Sequence, residues 1–187
     1  TIWNLGNIAF GQGKYKEARK QWKEALGTFQ ELGDRKNEAG VLHQLGRLAQ
    51  EEGDYPEARR LYQESLDIEQ QLGDRAGMAQ TLHQLGTLAQ GQGDYPEARR
   101  LYQESLDIAR QLGDRAGVAT SLAQLALLEE AEGNVGRALE LIREAEGVFV
   151  ALGSPYAAQA RRHRERMEGR GRQGDKGTRR RRRRSGK

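Results

Sequence analysis

The sequence contains no cysteine among its 187 residues and only three prolines. Without thiols the chain can form neither a disulfide nor a thiolate metal site, which fits a reducing, cytoplasmic environment. It also has no apolar run near the roughly 18 residues that span a bilayer, and residues 1–20 lack the layout of a secretory signal. We therefore expect a protein with no membrane span, no metal site and no cofactor.

Positive charge is concentrated at the C-terminal end of the sequence. Residues 169–187 contain ten Lys or Arg residues and one Asp, and subtracting these from the totals leaves 21 basic and 26 acidic residues in 1–168. The net charge of +4 therefore combines a mildly acidic part with a strongly basic tail. Because the tail has no apolar residue, we expect it to be disordered. Its densest part is a run of six arginines: Arg179, Arg180, Arg181, Arg182, Arg183 and Arg184.

A block of about forty residues occurs four times. Its second and third repeats are nearly identical, since residues 55–77 and 95–117 differ at two positions, of which one is Glu69/Ala109. A chain that repeats one short unit in tandem buries each unit against its neighbours, which produces an extended array. We assign an array of four repeats over 1–152, with repeats at about 1–33, 34–73, 74–113 and 114–153. Two further segments follow, a polar capping helix at 154–168 and a basic tail at 169–187.

Each repeat consists of two segments separated by glycine-containing turns. In the third repeat, residues 75–90 and 95–112 place apolar side chains at spacings of three and four, which predicts two amphipathic helices. Asp74 and Asp94 precede these segments and predict N-caps, and Gly113 suits the left-handed residue that ends a helix. The pattern predicts an all-α fold built from paired helices.

The apolar, glycine and aromatic positions of the repeat form a recognisable signature. In the second repeat the signature residues are Leu42, Leu45, Gly46, Ala49, Ala58, Tyr62 and Ser65. With them the chain resembles the tetratricopeptide repeat family, whose unit is a helix–turn–helix of about 34 residues. The longer period here resembles the variant found in kinesin light chains and bacterial regulatory arrays. The resemblance implies a right-handed superhelical solenoid of antiparallel helix pairs.

The resemblance also implies a protein-interaction scaffold and not an enzyme, with the first helix of each repeat lining a groove that binds a peptide or a partner helix. The candidate groove residues lie beside the Leu-Gly position of each first helix: Asn4, Asn7, His43, Gln44, Arg47, His83, Gln84, Thr87 and Gln124. One amide recurs in every repeat and offers a donor and an acceptor to the backbone of an extended peptide. The alternative is that duplication repeated a glutamine that is only a solvated helix former.

No catalytic or metal site is predicted. His43 and His83 are equivalent residues of neighbouring repeats, and packed helices lie about 10 Å apart, which is too far for a shared metal ion. The segment 11–14 lacks the spacing and the hydroxyl residue of a phosphate-binding loop. Carboxylates on the second helices alternate with arginines at helical spacing, as on a solvated surface.

Two alternative functions stay open at the level of the sequence. The arginine run at 179–184 could bind nucleic acid or an acidic surface through charge, although no aromatic side chain lies between the arginines for base stacking. The chain also begins inside a repeat, at Thr1, so we expect it to be a fragment of a longer regulatory or signalling protein. The array would then be an accessory module of an upstream ATPase or regulatory domain.

Overall fold

The computed structural model describes residues 2–169, and every element in that range is helical. The first eight helices are α1 (Ile2–Gly11), α2 (Tyr15–Leu32), α3 (Arg35–Glu51), α4 (Tyr55–Leu72), α5 (Arg75–Gly91), α6 (Tyr95–Leu112), α7 (Arg115–Ala131) and α8 (Val135–Ala151). A further helix, α9, covers 156–169. The predicted all-α fold of helix pairs is therefore confirmed. The arginine run at 179–184, with the disorder predicted for the tail around it, lies outside the described residues.

The chain divides into two compact units between Ile108 and Ala109, inside α6. In the first unit α1 packs on α2 and α3 packs on α4, while α2 and α4 also pack on the first helix of the next repeat. In the second unit α7 packs on α8, and α9 contacts α8. Each unit is thus built from the same two-helix element. None of the helices in residues 2–169 combines the length and the apolar character needed to cross a membrane.

Aspartates and glycines set the helix ends, as the sequence predicts. The carboxylate of Asp74 accepts a hydrogen bond from the backbone N–H of Gly77 at 3.0 Å and so caps α5. Just before it, Gly73 ends α4 in the left-handed conformation, with φ 66°. The same side-chain cap occurs at Asp34, Asp54, Asp94 and Asp114. A glycine stop followed at once by a capped start reverses the chain within a few residues.

In the second and third repeats, a tyrosine ring of the second helix lies directly on a glycine of the first helix. A Cβ atom added to Gly46 would lie 2.8 Å from Cδ1 of Tyr62, and one added to Gly86 would lie 2.8 Å from Cδ1 of Tyr102. Both tyrosines are completely buried. Real Cβ atoms do not approach a ring carbon so closely, so the glycine is required by this contact and not by its backbone conformation.

In the first and fourth repeats, the residue at the glycine position of the first helix also matches the size of the side chain that packs on it from the second helix. In the first repeat the ring of Trp22 lies against Gly6. In the fourth repeat Ile142 replaces the aromatic residue and Ala126 replaces the glycine, and both are buried. A smaller side chain on the second helix therefore accompanies a larger one on the first, which preserves the packed volume.

A carboxyl group is buried between α4 and α5. Only 5% of Glu69 is exposed, and its Oε1 lies 3.0 Å from the hydroxyls of both Ser65 and Thr81, while its Oε2 is buried without a hydrogen-bond partner. Burial raises the pKa of Glu69 to about 7, and the Asp74 carboxylate contributes in the same direction. The third repeat has Ala109 at this position and so lacks the acid.

Helix α9 contacts α8 mainly through charged side chains. Glu146 of α8 accepts hydrogen bonds from Nε of Arg161 at 2.9 Å and from Nε of Arg164 at 2.7 Å. Met167 of α9 is nevertheless completely buried. The segment predicted as a polar capping helix, 154–168, is therefore helical over most of its length and also contributes an apolar contact.

Gly86→Ala should lower the free energy of unfolding by about 1–3 kcal/mol, because the new methyl group overlaps the ring of Tyr102. Gly91→Ala is the matched control in the same helix, since nothing lies within 4 Å of its Cβ position. It should be neutral or stabilising by about 0.5–1 kcal/mol. Tyr102→Ile added to Gly86→Ala recreates the pair found in the fourth repeat and should recover part of the loss. Urea denaturation measures all three variants, and equal stability of the two alanine variants would contradict the packing argument.

Glu69 should make the protein less stable as the pH rises. Its pKa in the folded state, about 7, lies above the usual value of 4.5, so the folded protein holds this proton more tightly than the unfolded chain. That contribution is complete below about pH 4.5 and is lost as the pH rises to about 7. Compared with Glu69→Gln, the wild type should lose about 2 kcal/mol of unfolding free energy between about pH 5 and pH 8.

Urea denaturation at the two pH values measures this difference. The glutamine variant serves as the reference because it keeps the size of the side chain and every other titrating group. Parallel pH profiles for the two proteins would mean that the pKa of Glu69 is the same in the folded and unfolded states.

Candidate functional site

Each first helix of the second and third repeats leaves one row of polar side chains half-buried. Within residues 41–50 of α3, three positions are half-buried and every other position is buried; the three follow one another at intervals of three residues. Residues 81–90 of α5 show the same pattern, with His83 as one further half-buried residue. Residues three apart lie on the same side of a helix. We call this row the polar stripe: Gln44, Arg47 and Gln50 on α3, and Gln84, Thr87 and Gln90 on α5.

Asn4 and Asn7 occupy the equivalent positions on α1, where both are exposed. The Oδ1 atom of Asn7 accepts a hydrogen bond from Nε1 of Trp22 at 3.1 Å. Asn7 is therefore held by the aromatic side chain that fills its own repeat. Asn4 keeps the amide that recurs along the array.

Arg47 connects the stripe to α1. Its guanidinium carbon lies 5.2 Å from the centroid of the Phe10 ring, a cation–π contact, and its NH1 donates to Oε1 of Gln44 at 3.1 Å. The bond uses one of the two lone pairs of the Gln44 oxygen and leaves its NH₂ group to donate. The arginine therefore orients the Gln44 amide.

The buried tyrosines reach the stripe with their hydroxyl groups. Tyr62 donates to Oε1 of Gln50 at 3.1 Å, and Tyr102 donates to Oε1 of Gln90 at 2.8 Å. Burial raises the pKa of Tyr102 to about 12, so the hydroxyl stays protonated as a donor. The sequence analysis missed Gln50 and Gln90, although each follows a predicted groove residue by three positions.

The two histidines contact tyrosines of their own repeats. The ring centroid of His43 lies 5.5 Å from that of Tyr62, and the centroid of His83 lies 5.2 Å from that of Tyr102. Burial lowers the pKa of both histidines to about 4, and the charge of Arg47 adds to the effect at His43. Both rings are therefore neutral at pH values near 7. Residues 2–169 contain no group of three or more His, Cys, Asp or Glu side chains that could hold a metal ion.

The second unit carries the remaining predicted site residue, Gln124, which is half-buried on α7. Its neighbours on that face, Ala123 and Leu127, are apolar and also half-buried. Further along α7, Glu130 forms an ion pair with Arg166 of α9. The face of α7 is thus less polar than the stripe of the first unit.

The solved structures of three proteins show a similar fold. BtubC (BKLC) from P. vanneervenii superposes with a TM-score of 0.71 and 20% identity, covering 91% of this chain and 80% of that chain. Aspartyl phosphate phosphatase F from Bacillus subtilis gives a TM-score of 0.81 and 16% identity, covering 94% of this chain and 46% of that chain. A Rap protein complexed with competence and sporulation factor gives 0.78 and 16%, covering 95% and 50%.

This chain therefore spans about half the length of the last two proteins. At these identities the likeness establishes the fold alone. No curated protein matches the sequence. The family model described as tetratricopeptide repeat matches residues 1–71 and 77–149, which is more than half of the chain. Together with the helix pairs, the glycine stops and the ring-on-glycine contacts, this match shows that the chain belongs to the tetratricopeptide repeat family, whose arrays serve as protein-interaction scaffolds.

Proposed function

We propose that the polar stripe of the first unit binds an extended segment of a partner protein. The observation that carries this proposal is the burial pattern of α3 and α5, in which one row of polar side chains stays half-buried among buried neighbours. The backbone of an extended segment offers N–H and C=O groups at regular intervals, and a row of amide side chains can pair with both. Asn4 and Asn7 extend the row on α1, and Gln124 continues the sequence pattern on α7.

The restraints on the stripe favour binding without a large loss of side-chain entropy. Gln44 is held by Arg47, and Gln50 and Gln90 are held by buried tyrosine hydroxyls. Side chains that are already ordered lose little freedom when a ligand arrives, so more of the interaction energy appears as affinity. This argument supports a preformed surface.

Charge supports the same class of partner. Arg47 is the charged member of the stripe and its guanidinium rests on the Phe10 ring, so a carboxylate of the partner would gain a charge-assisted hydrogen bond there. One cation among six side chains does not make the row of positive charges that phosphate backbones require. The alternative of nucleic-acid binding therefore depends on the arginines at 179–184, which lie outside the described residues.

The fold comparison adds support of a general kind. The Rap protein solved with competence and sporulation factor is an array of similar fold in a complex with another molecule. A helical array of this fold is thus compatible with ligand binding. The proposal for this chain depends on its own stripe residues.

Gln44→Ala combined with Gln84→Ala should weaken binding by about ten- to thirtyfold, because each variant removes one hydrogen-bonding amide worth about 1 kcal/mol. The probes are linear peptides selected on the wild-type protein from a random display library, and titration calorimetry measures their affinity. The helical circular dichroism signal and the melting temperature should stay nearly unchanged, since both glutamines are only half-buried.

Gln63→Ala combined with Gln103→Ala is the matched control for this experiment. These equivalent glutamines lie exposed on the second helices and donate to Asp67 at 2.8 Å and to Asp107 at 2.9 Å. The control variant should bind the selected peptides as the wild type does. Unaltered affinity in the Gln44 and Gln84 variant, or failure of the library to yield any binding peptide, would rule out the proposed function.

A further inference from the structure

The buried carboxyl of Glu69 is connected to His43 by a chain of short contacts. The hydroxyl of Ser65 lies 2.8 Å from the carbonyl oxygen of Ala39 and 3.0 Å from Oε1 of Glu69. The same Oε1 lies 3.0 Å from Oγ1 of Thr81, which in turn lies 3.0 Å from Nδ1 of His43. Four consecutive contacts of hydrogen-bond length thus connect the Ala39 carbonyl of α3 to the imidazole of His43 in the same helix.

Each of these contacts needs one hydrogen atom between its two heavy atoms. The hydroxyls of Ser65 and Thr81 supply one each, and the protonated acid of Glu69 supplies a third. The fourth must come from His43, and only the tautomer with its hydrogen on Nδ1 can supply it. If the hydrogen of His43 were on Nε2, only three hydrogens would be available for the four contacts. In one of the four contacts, two lone pairs would then face each other with no hydrogen between them.

The count also fixes the direction of every bond. His43 donates from Nδ1 to Thr81, Thr81 donates to Oε1 of Glu69, the Glu69 acid donates to Ser65, and Ser65 donates to the Ala39 carbonyl. If the acid loses its proton, the carboxylate can only accept, so Thr81 still donates to it and His43 still donates to Thr81. The preferred tautomer of His43 is therefore the same in both states of the acid.

The third repeat provides an internal comparison. There Ser105 donates to the carbonyl oxygen of Ala79 at 2.8 Å, which is the bond that Ser65 makes to Ala39. The serine therefore makes this bond with or without the acid, and its single hydrogen is not available for Glu69. Ala109 replaces Glu69 in that repeat, so the third repeat has no carboxyl group at this position.

We propose that Glu69, acting through Thr81, is a positioning residue that holds His43 in the Nδ1–H tautomer and thereby makes Nε2 a hydrogen-bond acceptor for a bound partner. The inference rests on the proposed function, because it assigns His43, next to Gln44, to the binding surface. Nδ1 contacts Thr81 within the protein, so Nε2 is the remaining nitrogen, and it is not among the fully buried side-chain atoms that lack a hydrogen-bond partner. The group it selects is an N–H donor of the partner, such as a backbone amide, and a carbonyl oxygen at the same point is disfavoured.

Burial supports this assignment in two ways. His43 is 8% exposed, and burial together with Arg47 lowers its pKa to about 4, so the ring is neutral and has one nitrogen able to accept. Burial also raises the pKa of Glu69 to about 7, which favours the protonated acid that supplies the third hydrogen.

Long-range ¹H–¹⁵N NMR spectra of the free protein, labelled with ¹⁵N-histidine and recorded near neutral pH, report the tautomer directly. We expect Nδ1 of His43 to carry the hydrogen in the wild type. In Glu69→Ala the Thr81 hydroxyl loses its acceptor and becomes free to donate to Nδ1, so the hydrogen of His43 should move to Nε2. In Thr81→Val the ring loses its partner and should become a mixture of tautomers. The signals of His83 should not change in either variant.

The wild-type spectrum alone can overturn the assignment, which it does if Nε2 of His43 carries the hydrogen. An unchanged tautomer in both variants would equally rule out a role for Glu69. Folding of the variants is checked by circular dichroism. The chain itself has Ala109 at the position of Glu69 and Val41 at the position of Thr81, so each replacement already occurs at the equivalent site of another repeat.

The ligand chemistry is tested with a selected peptide that is N-methylated at one backbone position at a time. Methylation at one position should lower the affinity for the wild type by about tenfold, in line with the loss of one hydrogen bond. The same methylation should lower the affinity for Glu69→Ala by about threefold or less. Equal losses in both proteins at every position would overturn the proposed N–H donor. If no peptide binds, the proposed function fails, while the spectra of the free protein still decide whether Glu69 sets the tautomer.

Discussion

The contact between an aromatic ring and a glycine determines how closely the two helices of a repeat approach. The rings of Tyr62 and Tyr102 lie on Gly46 and Gly86 so closely that even one methyl group on either glycine would overlap them. Close packing of this kind tolerates neither a gap nor an excess of volume. In the fourth repeat both residues differ, since Ala126 replaces the glycine and Ile142 replaces the aromatic residue. The two positions therefore depend on each other in packing.

The same tyrosines connect the core to the surface. Their rings fill the repeat, and their hydroxyls hold Gln50 and Gln90 on the outer side. Packing and the order of Gln50 and Gln90 therefore have one source, and a change that moves the ring also moves the amide. For this reason the variants that test binding are placed at Gln44 and Gln84, whose side chains receive no bond from a tyrosine among the contacts described above. Binding can then change while the helix pairs stay intact.

Near-identity of two repeats does not make them chemically equivalent. Residues 55–77 and 95–117 of these repeats differ at one buried position, where Glu69 corresponds to Ala109. In the second repeat the acid joins Ser65, Thr81 and His43 into a single chain of hydrogen bonds. Helical periodicity gave no reason to single out this position, because a glutamate there fits the pattern of a solvated helix face. One of its two hydroxyl contacts is with Thr81, which belongs to the next repeat along the sequence.

The sequence by itself determined the helix pairs and their capped ends, since these depend on residues within a few positions of one another, such as Asp74 capping α5 after Gly73. It also identified most of the stripe residues, because the spacing of polar positions along one helix is a local pattern. Only the tertiary structure decided that Glu69 is buried and that Nδ1 of His43 is already bound. Those facts arise from side chains that are far apart in sequence and meet through packing, and the cost of burying a polar group depends on which partners it meets there.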